Sequence, residues 1–249
     1  MLRNTCPVYD FGYHANPDYL VKLERLVAPE PWGRDLRFLA AYLRARFEMA
    51  QMDGAVHESS ERCQAAWNTR LFTAAGEEIW LVYRVNQRAV PCWQLDDIRR
   101  GKPGWVDPDG MPQSEVGVRE FRHEWPILVD EAHIMREPDH FERIRQAIPC
   151  GCPSASDHVV FRAVCGEIEF ERKTRQVIPQ WYHGHYQFLM PLRLTAPDRV
   201  DLVAALMTDT DEARYIVKTV LPIEFAYAHA RVLVKHPGDL PRWMQLQAN

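Results

Sequence analysis

The spacing of apolar residues changes along the chain from a helical period to a strand period. Near the N-terminus apolar residues recur every three or four positions, which predicts a short helix over residues 16–26 and a longer helix from Asp35 to Gly54. Residues 66–95 instead form three short aromatic and β-branched runs, separated by Gly76 and Asn86. Short runs of this kind, divided by turn formers, predict a β-meander.

The second half of the chain alternates between the two patterns. Helices are predicted over 139–147, from Ser156 or Asp157 onward, from Pro197 through Leu206, and over 222–234, where a continuing strand is the alternative. Strands are predicted over 116–121, 126–129 and 215–221, together with a hairpin of 177–182 and 186–194. These elements predict an α+β fold, a single domain over residues 1–249 with a mainly antiparallel sheet flanked by helices.

Residues 99–114 are rich in glycine and proline and carry no periodic pattern. Loops of this length are commonly functional or mobile. We therefore expect a flexible loop here, which we interpret as a flap on one domain rather than as a domain boundary.

The composition is that of a globular protein, and the net charge limits the kind of nucleic-acid contact that we expect. It has 249 residues, 47% hydrophobic and 26% charged, and a net charge of -4 from 30 basic and 34 acidic side chains. A protein that coats nucleic acid by neutralising phosphates is normally basic, so any nucleic-acid contact is expected in a local groove.

The N-terminal sequence and the number of cysteines indicate where in the cell the protein is expected. No secretory signal and no apolar run long enough for a membrane helix is recognisable. The 6 cysteines are too sparse for a disulfide scaffold in a chain of this length. We therefore expect a cytoplasmic protein with free thiols and no membrane partner.

Two cysteines and two histidines have a pairwise spacing that suggests metal binding. Cys150 and Cys152 flank Gly151, and His183 and His185 flank Gly184. If the pairs met, they would supply four zinc ligands, with both histidines on one face of a strand. A Pro/Gly turn with incidental thiols and a solvated hairpin tip is the alternative, and we favour it.

Polar side chains interrupt the otherwise apolar hairpin. Gln180 and Tyr182 are two residues apart on the first strand and share a face, while Gln187 lies on the partner strand. A buried amide costs free energy unless it is hydrogen-bonded. These residues therefore indicate either a structural hydrogen-bond network or a ligand, and the basic residues Lys173 and Arg175 come just before them.

Two further segments also have polar residues that either a structural role or a ligand would explain. Tyr227 and Arg231 are four apart among alanines, so they share a helix face that a ligand could approach closely. An amphipathic helix with a snorkelling arginine is the simpler explanation. Asn68 and Thr69 begin a predicted strand, where a turn would explain them, as would hydrogen-bond donors that face a site.

These segments, in this order, resemble the family known as domain of unknown function 3825. The matching elements are Tyr9-Asp10-Phe11-Gly12-Tyr13, Leu26 to Trp32, Asn68-Thr69-Arg70-Leu71, His133-Ile134, Lys173 to Tyr182, Gln187 to Leu192, and Ala226 to Arg231. Arg70 stands where the family pattern has glycine, and Trp181 where it has tyrosine. The resemblance implies no established activity. The RNA-binding modules associated with this family imply a role in RNA metabolism.

We therefore expect a protein that binds or processes RNA or a nucleotide in a cleft of basic, aromatic and amide side chains. Arginine would hold phosphate through its planar fork, and a tyrosine would stack on a base. The ligand-binding candidates are Asn68, Thr69, Arg175, Gln180, Tyr182, Gln187, Tyr227 and Arg231. The catalytic candidates are Lys173 and His133, the latter because the unperturbed pKa of a histidine lies near neutrality.

Two other classes of function remain open at this point. In a non-enzymatic protein-interaction module the same polar residues would form a structural network. In a zinc-dependent hydrolase Cys150, Cys152, His183 and His185 would bind the metal. No cofactor is predicted, and whether any bond is made or broken is left open.

Overall fold

The computed structural model describes residues 17–33, 35–61, 63–85, 93–106, 120–136, 138–147, 156–174 and 176–245. The chain divides into two compact units, residues 1–116 with 247–249, and residues 117–246. Each unit contains one sheet, and both sheets are mainly antiparallel. The α+β class is confirmed. That the whole chain behaves as one domain stays a prediction.

The described residues of the first unit form two helices and a four-stranded sheet. Its elements are α1 (Pro17–Leu26), α2 (Arg37–Met52), β1 (Val56–Glu58), β2 (Gln64–Phe72), β3 (Glu78–Val85) and β4 (Trp93–Arg100), and the sheet order is β1-β2-β3-β4. Helix α2 packs on β2, where the rings of Phe47 and Trp67 lie 5.3 Å apart. Both predicted helices and the meander are confirmed, whereas β1 was not predicted.

The described residues of the second unit form four α-helices and a five-stranded sheet. Its elements are β5 (Ile127–Val129), α3 (Glu131–Arg136), α4 (Pro138–Ala147), α5 (Asp157–Glu171), β6 (Ile178–Tyr182), β7 (His185–Leu192), β8 (Leu202–Asp209), β9 (Arg214–Leu221) and α6 (Ile223–Arg231). The sheet order is β5-β9-β8-β7-β6, and the β5–β9 pair is parallel while the others are antiparallel. Two short 3-10 helices follow, Pro237–Asp239 and Arg242–Met244.

The two faces of the second sheet are covered by different helices. Phe188 and Met190 of β7 belong to a buried apolar cluster that includes Ile134 of α3, Ile144 of α4 and Val164 of α5. Neighbouring residues on a strand point to opposite faces, so Gln187 projects away from this cluster. Helix α6 contacts β6 and β8, and it lies on the same face as Gln187.

One predicted helix in this unit is wrong. The run from Pro197 through Leu206 does not form a helix, because residues from Leu202 onward are strand β8. The apolar run Leu202-Val203-Ala204-Ala205-Leu206 is buried on both faces of a central strand. A short continuous apolar run fits a buried strand and a buried helix equally well, so periodicity does not separate them.

The predicted loop at 99–114 begins later than expected. Arg99 and Arg100 are the last residues of β4, paired with β3. Residues 107–114 lie outside the described residues, as do 116–119 of the predicted strand at 116–121. Flexibility of this loop stays a prediction.

Among the described residues, no helix combines the length and the apolarity that crossing a bilayer requires.

Candidate functional site

An exposed tyrosine marks the end of the β6–β7 hairpin in the second unit. Tyr182, the last residue of β6, keeps 38% of its surface accessible. Its ring centroid lies 4.2 Å from that of His183 and 5.0 Å from that of His229 on α6, and both contacts are edge-on. The two imidazoles fix the orientation of the phenol ring. We call Gln180, Tyr182, Gln187 and His229 the Tyr182 patch.

A pair of amides lies beside this tyrosine on the same face of the sheet. Gln180 and Gln187 are directly opposite each other on β6 and β7. Gln180 is 2% exposed, and its Nε2 donates to Gln187 Oε1 at 3.1 Å, while its Oε1 has no partner among the described residues. The half-buried Gln187 accepts this bond through its oxygen, so its own amino group is oriented away from it.

His229 adds a neutral imidazole to the patch. Burial and, to a smaller extent, the nearby His183 lower the pKa of His229 to about 4, although a hydrogen bond with the backbone of Trp181 acts in the opposite direction. His229 is therefore uncharged at neutral pH. Its Nδ1 is buried without a hydrogen-bond partner in the described part of the chain. The sequence pattern singles out Ala226 to Arg231, the segment that contains His229, but predicts no role for this residue.

Asn68 and Thr69 lie in the first unit, at a bulge where β2 loses register with β3 between Asn68 and Phe72. Asn68 Oδ1 accepts the backbone N–H of Arg70 at 2.8 Å, and Thr69 Oγ1 donates to the carbonyl of Ile79 at 2.6 Å. Both side chains therefore hold the bulge, which supports the turn interpretation. Their role in ligand binding stays a prediction.

Tyr227 and Arg231 lie on α6 and are both closed to solvent. Tyr227 is 1% exposed and Arg231 is 0% exposed. Arg231 Nη1 donates to the carbonyl of Val234 at 2.9 Å, so the guanidinium binds the backbone of the segment that follows its own helix. The arginine does not snorkel to the surface. The proposed phosphate contact of Arg231 stays a prediction that this burial does not support.

The remaining candidates are an exposed lysine, a half-buried histidine and an arginine that lies outside the described residues. Lys173 is exposed just after α5, and Arg175 lies outside the described residues. His133 is half-buried in α3, where its backbone N–H donates to Asp130 Oδ1 at 3.0 Å. None of these positions is among the contacts described for the Tyr182 patch, and their catalytic or binding roles stay predictions.

The proposed metal ligands were expected on a strand and beside a Pro/Gly turn. Cys150 and Cys152 lie outside the described residues. His183 is in the turn, at φ 47°, and His185 begins β7, which agrees with the hairpin tip that we favour, and metal binding by these residues stays a prediction. In the described ranges no group of three or more histidine, cysteine or acidic side chains could hold a metal ion.

A buried ion pair was missed by sequence analysis. Arg193, directly after β7, pairs with Glu171 at the end of α5 and also donates to Gln176. These residues and Glu167 line a cavity of about 470 Å³. Burial raises the pKa of Glu167, as does the neighbouring Glu171. No residue spacing linked positions 171 and 193, which meet only in the folded unit.

Fold and site together define an α+β protein in which aromatic, amide and imidazole side chains meet at a hairpin end. The family model described as Domain of unknown function (DUF3825) matches residues 23–239, and the chain belongs to this family. No curated protein and no solved structure matches the chain significantly.

Proposed function

We propose that the second unit binds single-stranded RNA through the Tyr182 patch, with the Tyr182 ring stacked on a base. The observation that carries the proposal is an exposed phenol ring held edge-on by two imidazoles. Stacking on such a ring is tolerant of sequence because every base has a π face.

The amide pair supplies a polar contact next to the ring. Gln180 holds the carboxamide of Gln187 through its oxygen, which leaves the amino group of Gln187 to donate to an acceptor on a base edge. Unstacked bases present these edges in single strands, while in an RNA duplex the major groove is too narrow for side chains. Gln180 acts here as a positioning residue, and Gln187 as the contact.

The charge of the patch and of the whole chain favours recognition of bases over recognition of phosphates. The four side chains of the patch carry no positive charge at neutral pH, since His229 is neutral, and the whole chain has a net charge of -4. Affinity that arises from phosphate neutralisation falls steeply with salt. Binding at the Tyr182 patch should therefore depend only weakly on salt concentration.

Substitution of Tyr182 tests this function. We expect Tyr182→Ala to weaken the binding of a short labelled single-stranded RNA by at least about fivefold, because a stacked base contributes roughly 1–3 kcal/mol. Tyr182→Phe keeps the ring and should bind nearly as well as the natural chain. Fluorescence anisotropy titrations against the four homopolymers measure these affinities.

The control is another exposed aromatic residue in the same unit. Phe170 on α5 is 63% exposed, and Phe170→Ala should leave the affinity unchanged. Equal affinities for Tyr182→Ala and the natural chain, or no binding of any homopolymer by the natural chain, would refute the proposal.

A further inference from the structure

A second cluster of charged residues lies in the first unit and has no part in the Tyr182 patch. Arg46 on α2 is 3% exposed, and neither its Nε nor its Nη1 has a hydrogen-bond partner among the described residues. It also forms no ion pair within that part of the chain. Buried donors without a partner are costly, so two of the three guanidinium nitrogens lack an acceptor that the described protein does not supply.

A second arginine adds to the charge instead of neutralising it. Tyr42 and Arg46 are four residues apart and share one face of α2, and Tyr42 Oη donates to the backbone carbonyl of Thr69 at 2.8 Å. This contact brings the Arg46 face of the helix next to Arg70. Burial first, and Arg70 second, lower the pKa of Arg46 to about 10, while Tyr42 and Asp53 act in the opposite direction.

The backbone of Arg70 is unusual for this residue type. Arg70 lies in the left-handed region, at φ 56°, where a residue with a side chain is strained by roughly 1–2 kcal/mol and glycine is not. An arginine kept at a strained position is explained if its charge does something that glycine cannot do.

From this geometry we infer that Arg46 and Arg70 form a binding site for a phosphate-class oxyanion in the first unit. Arginine binds phosphate and carboxylate oxygens through several donors at once. The half-buried Arg70 gives the anion access from solvent, and the unpartnered donors of Arg46 bind it from within. An anion there would neutralise two like charges and satisfy the orphaned nitrogens, which a water molecule could do only in part.

The direct test is a thermal unfolding experiment on the full chain with inorganic phosphate. Phosphate should raise the melting temperature above that in sodium chloride of equal ionic strength, because a ligand that binds the folded state alone stabilises it. The increase should saturate with concentration. Both Arg46→Met and Arg70→Gly should lose the phosphate-dependent increase.

Two features of these variants separate loss of binding from loss of fold. Arg70→Gly removes the strained side chain, so its melting temperature in chloride should not fall, and only the response to phosphate disappears. Arg44→Met is the matched control, because Arg44 is exposed on the same helix and its loss should leave the response intact. A response that survives in both Arg46→Met and Arg70→Gly, or no saturable response in the natural chain, would overturn the inference.

A second ligand distinguishes the two sources of such a phosphate group, a nucleic-acid backbone and a small phosphorylated compound. An RNA oligomer without terminal phosphates offers phosphodiesters alone, whereas inorganic phosphate mimics a free phosphate group. If RNA reproduces the stabilisation, and Arg70→Gly abolishes it, the site binds the nucleic-acid backbone. If inorganic phosphate alone is effective, the site binds a small phosphorylated compound. The RNA arm is carried out with Tyr182→Ala, so that RNA bound at the Tyr182 patch of the other unit does not contribute to the stabilisation.

Discussion

Arg193→Ala is expected to lower the free energy of unfolding by about 3–5 kcal/mol, because it leaves the Glu171 carboxylate buried without its partner. The side chain of Glu171 is 1% exposed and that of Arg193 is 13% exposed. After the substitution the carboxylate keeps the hydroxyl of Thr174 as a donor, which does not neutralise its charge. Urea denaturation at neutral pH measures the difference.

Two further variants isolate the ion pair as the cause. Arg162 is exposed on the same helix as Glu171, and Arg162→Ala should cost less than about 0.5 kcal/mol. Replacing both partners, in Arg193→Met with Glu171→Met, should recover much of the loss because no buried charge then remains. A cost below about 1 kcal/mol for Arg193→Ala would show that the pair contributes little.

Arg231→Ala is expected to lower the free energy of unfolding by at least about 3 kcal/mol, through a buried cavity and broken hydrogen bonds. Arg231 is among the largest side chains that are fully buried, and its guanidinium donates to the carbonyl of Val234. The substitution also removes this donor from the carbonyl of the half-buried Val234. Thermal or chemical unfolding, with the exposed Lys218 of β9 changed to alanine as a control, measures the effect.

The same variant decides between two roles for this arginine. If Arg231 held phosphate, its loss would weaken RNA binding and leave stability nearly unchanged. We expect the reverse: at a temperature where circular dichroism shows Arg231→Ala folded, its affinity for RNA should remain close to that of the natural chain. Weak RNA binding with unchanged stability would restore the phosphate role.

Periodicity predicted the elements whose pattern is unambiguous. Helix α2 and the meander strands have long or sharply bounded patterns, and the β6–β7 hairpin is marked by its glycine turn. Strand β8 was missed because five consecutive apolar residues do not carry a period. The three-residue strand β1 is too short to leave a pattern, and its pairing with β2 depends on contacts that appear only on folding.

Sequence predicted the residue types of the candidate site better than their roles. Gln180, Tyr182 and Gln187 do meet on one face, because alternation on a strand fixes which side chains are neighbours. Burial was not predictable in the same way. Thr69 and Arg231 are polar but closed to solvent, and the partners that allow this, the carbonyls of Ile79 and Val234, are invisible in a sequence.

The sequence also does not show that the candidate residues are divided between two units. Asn68 and Thr69 belong to the first unit, whereas Gln180, Tyr182 and Gln187 belong to the second. Spacing along a chain does not determine which distant segments share a surface. The expectation that all the candidates converge on one cleft therefore stays a prediction.

Photochemical crosslinking would test the Tyr182 patch most directly. A single-stranded RNA that contains 5-iodouracil forms a covalent bond, on irradiation, with an aromatic ring that stacks on the modified base, and mass spectrometry identifies the residue. We expect the crosslink at Tyr182, and we expect it to vanish in Tyr182→Ala. Crosslinks that map to other aromatic residues and persist in that variant would contradict base stacking at this site.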